Sequence, residues 1–279
     1  LPIQDGGRVK PMSTYAGFML LRLNGKRACR TPEGKTLTPS EWLLDCLFLP
    51  ERAQQYRIFL VDDSAVLDTI GISHSDRKKR DRYSYAELAP ARERLFDLAQ
   101  RAAARPPQQL GAVESKVLRL AQNFADFERL IHHFDFARHD FHLPESSPLS
   151  PLLPNGRFSE IVRNARVIAV VASALHRGEM PPGILDNSEI QQEVAKILPD
   201  AVERLDAERR TRLLDEIETL LREVDALAAQ ADALAIFPPE ENDATWLTPG
   251  DFVQKAFFGG ALSDTHLRLL EAYETLPRE

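Results

Sequence analysis

Four histidines fall within eleven residues in the stretch HHFDFARHDFH: His132, His133, His139 and His142, with Asp135 and Asp140 among them. Imidazoles and carboxylates are ligands of divalent metals, and imidazole also ligates haem iron. On a continuing helix His132 and His139 share a face and His142 follows one turn later. The order matches neither HExxH nor a zinc finger. The competing reading is a polar helix end, where histidine complements the carbonyl-rich terminus.

A second candidate is Gln4-Asp5-Gly6-Gly7-Arg8-Val9-Lys10-Pro11. Two glycines beside Arg8 and Lys10 present backbone N–H groups and fixed positive charge to an anion such as a carboxylate. The competing reading is a glycine turn whose bases pair with local acids. The third candidate is Arg80-Asp81-Arg82-Tyr83-Ser84-Tyr85, in which Arg82 and Tyr83 combine a guanidinium with an aromatic ring, as interaction surfaces do. Against it stands a solvated helix start with partly packed tyrosines. No nucleophile elbow, P-loop or dinucleotide fingerprint occurs, so no catalytic residue is nominated. Cys29 and Cys46 form neither CxxC nor a haem-attachment motif. A disulfide between them would be worth about 3 kcal/mol. The favoured alternative makes Cys46, inside WLLDCLFL, a small core residue.

The elements that must position these residues are mostly helical. Residues 1–12 read as an extended arm turning at Gly6-Gly7. A helix capped at Ser13 or Thr14 runs to Leu23 and stops at Asn24-Gly25. Thr38-Pro39-Ser40-Glu41 is a capping-box start for a helix ending near Pro50. Residues 57–61 are the one convincing strand; Asp62, Asp63 or Ser64 then caps a brief helix ended by Gly71. Residues 74–82 are charged and solvated, and a helix spans residues 84–105 up to Pro106-Pro107.

Two longer segments carry the clearest pattern. Val113, Val117, Leu120, Phe124, Phe127, Ile131 and Phe134 alternate spacings of 4 and 3, as do Leu213, Ile217, Leu220, Val224, Leu227, Ala231 and Leu234. Each is a heptad seam that another helix must cover, either the two against each other or each against a different neighbour. Between them, a Pro- and Ser-rich loop at residues 143–157 is either exposed or docked. Helices are expected over residues 158–177, 187–198, from Thr248-Pro249 and over 263–273, with Asp200 capping the second long one.

Hydrophobic residues at 43%, charged residues at 28% and a net charge of −7 describe a folded chain with mild acidity. Bases and acids are interleaved, which argues against nucleic acid as a partner. The longest apolar run, residues 167–175, is too short to span a bilayer. The start at Leu1 is expected of a processed protein or an excised piece.

The stretch LPIQDGGRVKPMSTYAGFMLLRLNGKR resembles a signature of large, fused cytochrome c biogenesis proteins of the ResB/CcsA (CcsBA-like) type, closely from Ile3 to Lys26. TPSEWLLDCLFLPE, FLVDDSAVLDTIGI and RDRYSYAEL look like the segments downstream of that signature in those proteins, so the resemblance covers about the first 95 residues. It implies a full-length protein with many membrane spans that carries haem outward and attaches it to apocytochrome c. This chain would be a periplasmic, extracytoplasmic segment held by flanking membrane segments not present here. The family's tryptophan-rich WWD motif is missing: Trp42 and Trp246 lie outside any such motif. None of the seven histidines corresponds to a haem ligand of the family. The resemblance therefore places haem handling on the full-length protein and no cofactor on this chain.

The resulting expectation is a mostly α, multi-helix bundle with long heptad-patterned helices and at most minor β structure. Residues 1–106 form the signature module and residues 107–279 the bundle, either as two domains or as one continuous domain. The expected role is a non-catalytic extracytoplasmic domain that docks apocytochrome c or another biogenesis component through Arg8, Lys10, Arg82 and Tyr83. The alternative is a metal- or haem-binding module built on His132, His133, His139 and His142.

Overall fold

The first elements form a hairpin. β1 (Pro2–Asp5) pairs antiparallel with β2 (Arg8–Pro11) in a register that sets Asp5 opposite Arg8. Gly7 takes a positive φ of 73°, which a two-residue hairpin turn demands. The extended arm is thus folded on itself, with Ile3 buried. The computed structural model describes residues 2–5, 7–75, 80–178, 188–197, 206–239, 245–259 and 262–275. These divide into two compact units, Leu1–His133 and Phe134–Arg278. The first long helix, which begins at Ala112, lies in the first of these units.

In the first unit, α1 (Met12–Asn24) starts directly after Pro11 without a side-chain cap, so neither Ser13 nor Thr14 serves as one. Gly25 ends it in the left-handed conformation, donating its N–H to Leu21 O at 2.8 Å. β3 (Cys29–Arg30) and β4 (Thr36–Leu37) form a second two-stranded sheet. α2 (Pro39–Phe48) has the expected capping box: the Thr38 N–H donates to Glu41 Oε2 at 2.8 Å, and the Glu41 N–H to Thr38 Oγ1 at 3.3 Å. The short α3 (Pro50–Ala53) follows.

β5 (Phe59–Val61) pairs with β6 (Asp81–Tyr83), so the end of the stretch expected to be solvated is a strand. Asp76, Arg77, Lys78 and Lys79 lie outside the described residues. α4 (Ser64–Ile70) is capped by Asp63 and ended by Gly71. The expected helix over 84–105 is divided: α5 (Tyr85–Leu88), a 3-10 turn at Ala89–Ala91, then α6 (Arg92–Ala103). Pro90 lacks the N–H that a continuous helix would need there.

α7 (Ala112–Ile131) packs on α6, α2 and α4. Its aromatic residues gather around β5, with Phe124 and Phe127 each 5.5 Å from Phe59 and Phe124 stacked on Tyr85 at 4.6 Å. The Tyr85 hydroxyl and the Arg92 guanidinium both donate to Glu128 on the same helix, fixing the polar edge of the cluster.

The second unit begins with the short α8 (Asp135–Arg138). The Pro- and Ser-rich loop after it is docked. Leu149, Leu152 and Leu153 are buried, and Ser147 Oγ donates to Glu216 Oε2 at 2.6 Å on α12 (Ala207–Gln230). In place of one helix over 158–177 there are α9 (Phe158–Arg163) and α10 (Ala165–Arg177), broken at Asn164. The Asn164 amide donates to Leu152 O at 2.8 Å, tying the break to the loop. α11 (Ser188–Ile197) follows. The expected cap Asp200 lies outside the described residues; Asp206 accepts from the Arg209 N–H at 2.8 Å and caps α12. α13 (Pro249–Gln254), a π turn at Lys255–Gly259 and α14 (Asp264–Glu274) complete the unit.

The fold is mostly α, with three separate two-stranded sheets among the described residues. Each long helix finds its cover within its own unit: α7 against α6, α2 and α4, and α12 against α10, α8 and α13. The buried set on α7 includes Ala121 and Leu130 beside the seam, and on α12 Ala228 is buried while Leu227 is half-exposed. Such broad faces belong to globular helices of period 3.6 rather than to a two-position seam of period 3.5.

Candidate functional site

Wholly within the first unit lies an open cleft of about 1130 Å³. It is framed by the end of α1, by β3 and β4, by β6 and by the start of α5. Its charged lining is Lys26, Arg30, Arg57, Asp81, Arg82 and Glu87. Arg82 is held firmly: its Nη2 donates to Asn24 O at 2.9 Å and its Nε to Asn24 Oδ1. The last carbonyl of α1 is thereby capped by a guanidinium 58 residues away in the chain.

Both acids of the lining have internal duties. The Glu87 carboxylate accepts the Ser84 N–H at 2.8 Å in the capping box of α5 and pairs with Arg57 Nη2 at 2.9 Å. Asp81 Oδ1 accepts the Arg82 N–H at 2.8 Å. Lys26 and Arg30 are exposed and have no acidic partner among the described residues.

Cys29 also lines the cleft. Burial pushes its thiol up to about 12, and the carboxylates of Asp45 and Glu41 push in the same direction. Cys46 is raised well above the ordinary thiol value, chiefly by burial. Both thiols are free and buried. Both shifts favour the thiol over the thiolate, the form that attacks.

The structure disperses the candidates named from sequence. Arg8 and Lys10 sit on β2, Arg8 exposed and Lys10 half-buried, and neither lines the cleft. Arg82 lines it. Tyr83 is 2% exposed and faces the core opposite Phe59, so it cannot share a docking surface with Arg82. Successive strand residues point to opposite faces, and β6 is not legible as a strand in the sequence.

The histidines do not share a helical face. α7 ends at Ile131 and His132 is its cap residue, so the continuous helix that would align His132 with His139 does not exist. His133 is buried in the first unit. In the second unit, His139 lies edge-on to Phe141 at 4.6 Å with its Nε2 3.6 Å from Glu223 Oε2, and His142 is exposed. Among the described residues, no group of three or more His, Cys, Asp or Glu side chains converges to hold a metal ion.

Sequence reasoning misses Asn24, Lys26, Arg30 and Arg57. Along the chain Asn24 reads only as a helix stop, and Arg57 only as part of a strand. The closeness of Lys26, Arg27 and Arg30 is the available signal. No helix of the described residues is long and apolar enough to cross a membrane. No family model, curated protein or solved structure matches the chain.

Proposed function

We propose that this chain is a non-catalytic, extracytoplasmic docking domain of a membrane-bound cytochrome c biogenesis protein of the ResB/CcsA type. In this reading it stands on the periplasmic side of the cytoplasmic membrane. It holds apocytochrome c, or another component of the assembly, near the place where the full-length protein attaches haem. No cofactor resides on the chain itself.

One observation carries the reading. The four segments that resemble the family follow one another within the first 88 residues and pack in one compact unit, and Arg82 of the fourth caps the helix end at Asn24 of the first, 58 residues away. A signature whose distant parts grip one another is a folded module, as a domain shared across a family must be. A second support is the chemistry of the cleft. Burial favours the protonated form of its one thiol, Cys29, and its acids hold backbone and guanidinium partners, so the lining suits recognition better than bond-making.

The test is an in-frame deletion of this domain in a bacterium that matures its cytochromes through the full-length protein. Loss of covalently bound haem in the cytochrome fraction, with the membrane protein still inserted, is the expected result. Intact maturation, together with no binding of apocytochrome c to the domain in titration, would reject the proposal.

A further inference from the structure

The chain as a whole is acidic, with a net charge of −7, but its bases are not evenly spread. Its first thirty residues hold Arg8, Lys10, Arg22, Lys26, Arg27 and Arg30 against the single acid Asp5. Two of these, Lys26 and Arg30, line the cleft of the first unit, where Arg57 and Arg82 join them. The lining sets four bases, Lys26, Arg30, Arg57 and Arg82, against the two acids Asp81 and Glu87, and Glu87 pairs with Arg57. A surplus of positive charge therefore remains at the mouth, on the exposed Lys26 and Arg30. A concave site walled by low-dielectric protein focuses that field on whatever enters it.

We infer that this cleft takes up an extended, acidic peptide segment. Three features select that occupant. The volume, about 1130 Å³, exceeds the roughly 300–1,000 Å³ of small-molecule pockets and suits several residues of chain. The walls include β3 and β4, a two-stranded sheet in which each strand has one edge unpaired by strand among the described residues. Unpaired edges offer main-chain hydrogen bonds to an extended partner, while Lys26 and Arg30 select acidic side chains on it. The lining also lacks an exposed aromatic platform, since Tyr56 and Tyr83 are buried, which disfavours stacked nucleic-acid bases. A concave cleft likewise cannot lie against a flat bilayer.

This inference deepens the docking reading and rests on it for the partner's identity. Its test is fluorescence anisotropy of the whole chain with a labelled octapeptide of alternating Glu and Ser, and with the matching Gln–Ser peptide. The acidic peptide should bind, weaken as salt is raised, and bind about tenfold or more tighter than the neutral one. Lys26→Glu with Arg30→Glu should reduce affinity by about tenfold or more, and the milder Lys26→Gln with Arg30→Gln by less. Arg166→Glu, an exposed site in the second unit, should change nothing. Circular dichroism confirms that each variant is folded. Equal binding of both peptides, indifference to the charge reversal, or displacement by inorganic phosphate alone would overturn the inference. If the domain proves essential for maturation while the acidic peptide fails to bind, the cleft assignment falls and the docking reading stands. If the peptide binds as described while deletion leaves maturation intact, the reverse holds.

Discussion

Glu274, in the last helix, is 8% exposed, and its carboxylate accepts the Ser159 N–H at 2.7 Å and the Ser159 hydroxyl at 2.6 Å. Burial raises its pKa, and the two bonds from Ser159 only partly oppose that. The folded state therefore keeps the proton over a window that opens near the ordinary carboxylate value of about 4.3 and closes at the raised one. Below the window both states are protonated and the contribution to stability is complete. As pH rises through it, the unfolded chain releases the proton more readily and stability falls. Urea titrations across this range should show that slope, and Glu274→Gln should lose it. Glu274→Ala should lower stability by about 1–3 kcal/mol, because two buried donors lose their acceptor. An unchanged slope in the Gln variant would assign the pH dependence to another group. None of this is legible along the chain, since Ser159 and Glu274 are 115 residues apart and neither belongs to a motif. The same holds for Arg82, whose chemistry is visible in the chain while its partner Asn24 is not.

At the scale of elements, the legible features are those made by neighbours in sequence. The capping boxes at Thr38 and Thr248, the cap at Ser263 and the left-handed ends at Gly25 and Gly71 all fall where residue type and spacing put them. The breaks at His132 and Asn164 and the strand at residues 81–83 are not legible, because tertiary partners decide them. Asn164 is paired to a loop carbonyl, and β6 exists only beside β5. The docked loop is a sharper case. Its ends are clasped by the Phe141 N–H donating to Gly156 O at 2.9 Å, and Gly156 has φ +61°. A Cβ built there would lie 2.3 Å from the Phe141 carbonyl oxygen, a backbone atom that cannot swing away. Gly156→Ala should therefore cost at least about 2 kcal/mol, the left-handed strain and the clash together. Gly7→Ala is the control: its φ is +73° but nothing stands within 4 Å, so only strain of about 1 kcal/mol is expected. Thermal melts read by the tryptophan of each variant's own unit, Trp42 for Gly7→Ala and Trp246 for Gly156→Ala, should show a drop from the parent that is larger by several degrees for Gly156→Ala. Equal drops would mean that the loop shifts freely to admit the methyl group.

At the scale of the whole molecule, the two units each carry one tryptophan: Trp42 fully buried in Leu1–His133, Trp246 half-buried in Phe134–Arg278. A chain with two cores has no single free energy of unfolding, so each core needs its own reporter. In a Trp246→Phe background, the fluorescence of Trp42 follows the core in which Phe59, Phe124 and Phe127 meet. Phe127→Ala empties the space of a fully buried ring and should lower the stability read by Trp42 by about 3–5 kcal/mol. In the converse Trp42→Phe background, Trp246 sits two residues before the Thr248 cap of α13, whose Phe252 stacks on Phe237 at 4.5 Å. Phe252→Ala should lower the stability read by Trp246 by a similar amount. Each comparison is made within its own background, so the cost of replacing a tryptophan cancels. A Trp42 signal indifferent to Phe127→Ala would mean that α7 does not share a core with α2, and that its apolar face is covered elsewhere.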